Sequence, residues 1–235
     1  MVRRDGRGSR VTEDQGELPV ALDAAEADFI KNWMAGPQVT RWESVPVQRG
    51  DPAPPFLLPD QQNEPVALAD VVAGGPAAVI FWRHFGCGCG GERASRLCGE
   101  LDDFRAAGIG VVVIGQGVPV QAAAYAEAER LDVPILTDAD LSVYRAYGLL
   151  DATLPQVLFD APEWLWSHSE ETAEAFVQAR RQTARRLVNN PWVLPGEFVV
   201  APDGTIRHVH RYQHCEDYPD HRVLITAATG RALTG

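Results

Sequence analysis

The stretch Ala77-Ala78-Val79-Ile80-Phe81-Trp82-Arg83-His84-Phe85-Gly86-Cys87-Gly88-Cys89-Gly90-Gly91-Glu92 passes from a continuous apolar run into a glycine- and cysteine-rich turn. An apolar run of this length, without alternation, predicts a strand buried on both faces. A helix is predicted from about Glu92 to Ala106, with Leu97, Leu101 and Phe104 on one face. Strand, cysteine turn and helix therefore follow one another directly.

Working outward, Ile109 to Ile114 predicts a second buried strand and Val120 to Leu131 an Ala- and Glu-rich helix. Val133 to Asp138 predicts a short strand, and Leu141 to Tyr147 a short helix. This alternation implies right-handed crossovers and an α/β architecture, with a mixed, mostly parallel central sheet flanked by helices. Residues 151–192 break the rhythm as a helical insertion. It holds Trp164 and Trp166, ends at Trp192, and includes a helix from about Ser169 to Leu187. The tryptophans are expected to bury the inserted helix. Arg180, Arg181, Arg185 and Arg186 are expected to form a solvated helix face, with an anion site as the lesser reading. Glu197 to Ala201 and Thr205 to Tyr212 predict strands joined through Pro202-Asp203-Gly204, and Tyr218 to Leu233 a closing helix.

Upstream, Phe56 to Leu58 and Pro65 to Leu68 predict a short hairpin, with a brief helix over Leu68 to Val72. Residues 20–34 have helical spacing that Gly36-Pro37 stops. The organisation read here is an N-terminal tail and helical extension over 1–49, then one α/β domain over 50–235. Residues 1–16 are expected to be a disordered tail.

The chain has 235 residues and a net charge of −11, which disfavours nucleic-acid partners. No secretory signal or membrane span is legible, so a cytoplasmic protein with reduced thiols is expected. Its four cysteines are Cys87, Cys89, Cys98 and Cys215, too few for a disulfide scaffold. Cys87 and Cys89 stand at a strand-to-helix turn. There, free backbone N–H groups and the helix dipole favour thiolate over thiol. Arg83 and His84 add positive potential if they point inward. The glycines allow close backbone approach to a substrate and offer donors to an anionic oxygen. Glu92, in the first helical turn, opposes thiolate formation if it lies close.

Cys98 is expected as a buried small hydrophobe. Cys215 is a candidate third thiol. Four of the six histidines lie between 208 and 221. A Zn²⁺ or copper site using Cys87, Cys89, His208, His210 and His214 is therefore an alternative. Polar histidines at an exposed strand edge are the preferred reading, with no cofactor required.

Phe81 to Glu92 resembles the Phe-x-Arg-x-Phe-Gly-Cys-x-x-Cys-x-Glu segment of peroxiredoxin-like proteins of the alkyl hydroperoxide reductase and thiol-specific antioxidant group. Pro195 to Gly204 is similar to the strand and hairpin of the same thioredoxin-fold proteins. Pro195 takes the place of the cis-proline that faces the redox cysteine. His210-Arg211 through Asp217 and Pro219 resemble the family's ending. The resemblance spans about residues 50–235 and implies a thioredoxin-like fold. Cys87 matches the first cysteine of the motif, and Gly90 stands where the second would be. The peroxidatic motif also places a Pro and a Thr seven and three residues before its cysteine. Ile80 and His84 hold those places before Cys87, and Trp82 and Gly86 hold them before Cys89.

The function expected is a thiol-dependent oxidoreductase acting on a peroxide or disulfide. Cys87 is the nucleophile and Cys89 the resolving or assisting thiol, with Arg83 and His84 tuning the thiolate. Trp82, Phe85, Gly86, Gly88 and Pro195 are the expected substrate face. An external thiol is the reductant, and a homodimer is an open assembly. The alternatives are a metal- or ligand-binding module and a specialised biosynthetic enzyme on this fold.

Overall fold

The computed structural model describes residues 10–158, 162–183 and 185–230, with side chains described from residue 16 onward. The expectation for residues 1–9 and the last residues of the closing helix lie outside them. The apolar run forms β3 (Ala77–Phe81), whose five residues are at most 1 % exposed. It is the middle strand of a five-stranded sheet ordered β5-β4-β3-β6-β7, with β4 (Gly110–Gly115), β5 (Ile135–Thr137), β6 (Gly196–Val200) and β7 (Ile206–Arg211). β3, β4 and β5 are parallel, whereas β6 and β7 are antiparallel to their neighbours. This is the expected mixed, mostly parallel sheet.

The alternation of side chains along β3 divides the core in two. Ala78 and Ile80 pack with Leu97, Leu101 and Phe104 of α3 (Gly88–Ala106), Ala122 and Tyr125 of α4 (Pro119–Glu129), and Leu224 and Ile225 of α8 (His221–Thr229). Val79 and Phe81 pack on the other face with α2 (Leu68–Val72) and α5 (Ser142–Ala146). The hairpin of β1 (Leu57–Pro59) and β2 (Pro65–Ala67) precedes them.

Several boundaries differ from the sequence expectation. The N-terminal helix α1 spans Arg10–Ala35, so residues 10–16 are helical rather than a disordered tail. Its inner turns are docked by packing, and helix propagates outward from a docked segment at little cost. α3 begins at Gly88 instead of Glu92, because the glycines expected as loop form its first turn. α8 stops at Thr229, capped by Gly230 in the left-handed conformation.

The insertion contributes α6 (Leu154–Val157), a 3-10 turn over Glu163–Ser167 and α7 (Glu170–Arg181). α7 ends six residues before the expected Leu187. Beyond it, the Arg185 carbonyl accepts the Arg180 Nε–H at 3.0 Å. A third core cluster joins the insertion to α1 through Phe29, Trp33, Leu165, Val177 and Trp192. Trp33 stacks on Trp192 with ring centroids 5.0 Å apart. Trp192 is buried as expected, but Trp164 and Trp166 are 45 % and 41 % exposed. Trp164 still packs its ring on Phe176 of α7, with centroids 6.4 Å apart, so it covers part of the inserted helix as expected.

The arginines of the insertion are not a solvated face. Arg181 and Arg186 both pair with Glu26 of α1, which is 1 % exposed, and Arg186 also reaches Asp23. Arg185 pairs with Glu129 of α4 at 2.5 Å. These partners lie 56 to 163 residues away in sequence, so local charge patterning shows nothing of them.

Candidate redox site

Cys87 is the N-cap residue of α3, and a disulfide joins it to Cys89, with Cα atoms 5.4 Å apart. No side chain caps this helix end, so its dipole acts at the cysteines undiminished. The Arg83 guanidinium lies against the sulfur: Nη1 is 3.2 Å from Cys87 Sγ. Its Nη2 donates to the Pro191 carbonyl, and Gln116 ties the Arg83 and Asn190 carbonyls together. Arg83 and Cys87 are each 7 % exposed, whereas Cys89 is partly exposed. The pair is therefore asymmetric, with one guarded sulfur and one reachable sulfur.

His84 points inward, but it is not a source of positive charge. Burial first, then the charges of Arg83 and Arg180, hold its imidazole well below the ordinary histidine pKa. The positive potential at the cysteines comes from Arg83 and the helix end. Unfolding restores an ordinary pKa of about 6.5 to His84, so the unfolded chain binds more protons below that pH. The stability that neutral His84 contributes is present above pH ~6.5 and is lost as pH falls below it. The melting temperature is expected to drop between pH 7 and pH 5, and His84→Gln to flatten that slope. His208, also lowered mainly by burial, adds to the slope in both proteins. An identical pH slope in wild type and variant would overturn the assignment.

The glycines serve packing as much as approach. A Cβ on Gly86 would collide with the Arg186 carbonyl, and one on Gly91 with the Arg185 guanidinium. Gly88 alone among the segment's glycines has open space where a Cβ would be. Phe85, expected at the substrate face, packs into the core with its ring 4.9 Å from that of Tyr125. The Trp82 indole N–H donates to the Tyr125 hydroxyl at 2.7 Å, and that hydroxyl donates to the Gly90 carbonyl at 3.0 Å. This chain of bonds ties the first turn of α3 to α4 and to the end of β3. Glu92 accepts a 2.6 Å hydrogen bond from the Tyr218 hydroxyl.

Sheet register explains which remote residues arrive here. Phe81 pairs with Gly196 and Gly196 with Arg211, so Pro195 and the residues after β7 end beside the cysteine turn. Trp82, Cys89, Pro195, Tyr212 and Cys215 line one small cavity of about 20 Å³. Among the described residues no peptide bond is cis, so Pro195 occupies this place in the trans form, against the expectation drawn from the resemblance. Cys215 Sγ lies 3.6 Å from the Gln156 carbonyl. Cys98 is exposed rather than buried, with its Sγ 3.5 Å from the Arg130 carbonyl. It lies off the α3 face of Leu97, Leu101 and Phe104, beside the Glu129 and Arg130 carbonyls at the end of α4.

A larger cavity of about 600 Å³ opens on both bonded cysteines. Its walls include Arg83, Gly88, Pro155, Val157, Arg180 and Cys215. Sequence reasoning missed Pro155 and Val157, which no local motif marks, and it named Arg180 only within a basic run whose lesser reading was an anion site. The histidines do not gather around the thiols. His210 Nε2 donates to the Asp217 carbonyl at 2.6 Å on the edge strand, and exposed His214 sits at the cavity wall. Among the described residues no group of three or more His, Cys, Asp and Glu side chains is arranged to hold a metal ion.

The model of the AhpC/TSA family matches residues 49–209, which include the whole sheet except the last two residues of β7. The chain belongs to the AhpC/TSA family. Peroxiredoxin Bcp of Escherichia coli is 32 % identical over 104 residues, which is 44 % of this chain and 66 % of that protein. The match thus spans slightly less than two thirds of that relative. Among solved structures, peroxidoxin BcpB of Mycobacterium tuberculosis superposes with a TM-score of 0.57 at 20 % identity, covering 79 % of this chain and 99 % of that one. The thiol peroxidase of Chromobacterium violaceum gives 0.55 at 16 % identity, covering 80 % and 88 %. The fold is thus the thioredoxin-like one of AhpC/TSA proteins. Among the described residues, no helix is long and apolar enough to cross a membrane.

Proposed function

We propose that this AhpC/TSA protein is a thiol-dependent oxidoreductase in which Cys87 attacks and Cys89 resolves. The observation that carries the reading is the Arg83 guanidinium against Cys87 Sγ at an uncapped helix N-terminus. A cation and a helix dipole both lower a thiol's pKa, and the thiolate is the nucleophile. With a peroxide ROOH, the Cys87 thiolate attacks one oxygen, the O–O bond breaks, and Cys87 becomes a sulfenic acid as ROH leaves. The Cys89 thiol then attacks Cys87 Sγ, a disulfide forms and water leaves. With a disulfide substrate RSSR, Cys87 forms a mixed disulfide and one RSH leaves. Cys89 then displaces the second RSH. Two electrons from an external thiol reductant reopen the bond.

This cycle needs no metal, and it suits the reducing conditions of the cytoplasm. Residues 50–235 carry the chemistry, with α1 and the 151–192 insertion packed over it. The test is mass mapping after stoichiometric oxidation of the fully reduced protein by a peroxide or an organic disulfide. The expected product lacks two hydrogens, both from the peptide that holds Cys87 and Cys89. Cysteines that both remain alkylatable after oxidation would overturn the proposal.

A further inference from the structure

Arginine usage around the cysteines is uneven. Arg93, Arg181, Arg185 and Arg186 each have a carboxylate partner. Arg83 and Arg180 have none among the described residues, although both line the 600 Å³ cavity. Arg83 is 7 % exposed, and its Nε is buried without a hydrogen-bond partner. Arg180 is half-buried and spends two of its N–H groups on the carbonyls of Arg185 and Gly86. A guanidinium carries five N–H donors, so most of its capacity remains. In a chain of net charge −11, two guanidiniums left without an acid beside the reacting sulfurs imply an anionic occupant. The one carboxylate on the cavity wall, Glu216, is on an exposed residue.

The state of the cysteines narrows the occupant further. The cavity is present with Cys87 and Cys89 bonded to each other. A bonded pair reacts by taking a thiolate onto one sulfur. The molecule that enters this state is therefore a thiol. A volume of about 600 Å³ has room for an organic molecule, within the usual range for small-ligand pockets. Pro155 and Val157 supply apolar wall for its carbon skeleton.

We propose that the cavity binds the reductant, a low-molecular-weight thiol that carries a carboxylate, with Arg180 as the carboxylate anchor. This rests on the redox reading above and deepens it. The thiolate RS⁻ attacks Cys89 Sγ, the more exposed sulfur. The new bond is R–S–S–Cys89, and the old bond breaks to release the Cys87 thiolate beside Arg83. A second RS⁻ attacks the R sulfur of the mixed disulfide. RSSR leaves and Cys89 takes a proton. Two thiols are oxidised to one disulfide, and the protein disulfide is reduced to a thiolate and a thiol.

The experiment follows reduction of the oxidised full-length protein by 3-mercaptopropionate, 2-mercaptoethanol and cysteamine at matched thiolate concentration. Samples are alkylated at timed intervals and read by mass spectrometry. The anionic thiol is expected to react about tenfold faster than the neutral one at low salt, as a charge-assisted hydrogen bond would give, and the cationic thiol slowest. Added salt is expected to shrink the ratio. Arg180→Gln is expected to bring the anionic-to-neutral ratio toward one, and Arg180→Lys to retain most of it. The wild-type ratio and its salt dependence stand even if the Arg180→Gln variant folds poorly. Equal wild-type rates for all three thiols would overturn the anion site and leave the redox reading intact. Failure of every thiol to open the bond would overturn both.

Discussion

Cys87→Ser is expected to lower turnover by about a thousandfold or more, the scale on which an enzyme loses its nucleophile. The serine hydroxyl cannot ionise near neutral pH, so neither Arg83 nor the helix dipole can activate it. Cys89→Ser is expected to behave differently. Cys87 keeps its guanidinium at 3.2 Å and still attacks once. Without its resolving partner, a sulfenic acid accumulates with a peroxide, or a mixed disulfide with a disulfide substrate. A sulfenic-acid trap or intact mass would show the adduct on Cys87. Steady turnover of this variant depends on direct attack by the external thiol, and is expected to be slower than wild type. Full activity in both variants, or trapping at Cys89 in the Cys87→Ser protein, would sink the assignment of roles.

The second large effect is on stability. Glu197 of β6 is fully buried and accepts from Arg93 Nε at 2.8 Å and from the Tyr212 hydroxyl at 2.5 Å. Arg93, on α3, also reaches Glu100 at 2.8 Å. Burial opposes its charge, but Glu197, helped by Glu100 and Tyr212, offsets this and raises the Arg93 pKa. Glu197→Ala leaves a guanidinium inside the protein with only Glu100 to balance it. The expected loss is about 3–5 kcal/mol, as for other buried pairs broken on one side. Urea unfolding would measure it, and a loss under about 1 kcal/mol would refute the argument. Glu197→Gln, which keeps one acceptor oxygen but not the charge, should lose less. Because Arg93 and Tyr212 also border the small cavity with Cys89, the same network holds α3 in register with β6.

Much of the frame was legible in the residues alone. The unbroken apolar run over β3, bounded by turn residues, reads as a strand covered on both sides, and helices cover both of its faces. The helices and strands that follow recur where periodicity placed them, because long periodic patterns bury one face whatever lies around them. Boundaries were less legible. The first turn of α3 is built from glycines with poor helix propensity, and it forms because Trp82, Tyr125 and Arg185 pack on it. The trans form of Pro195 and the exposure of Cys98 were likewise invisible, since each depends on what neighbours it in space.

The candidate site shows the same division. A glycine-flanked Cys-Gly-Cys turn between a buried strand and a helix is a local pattern, so sequence by itself determined where the reactive sulfurs lie and which helix end faces them. It also placed Arg83 four residues from Cys87, a spacing that local chain geometry can close. Tertiary structure alone decided the charge on His84, which depends on burial beside Arg83 and Arg180. It alone turned the insertion's arginines from a solvated face into ion pairs with α1 and α4, leaving Arg180 without an acid. Desolvation and charge pairing act through space, across as many as 163 residues of chain, and a linear sequence records neither.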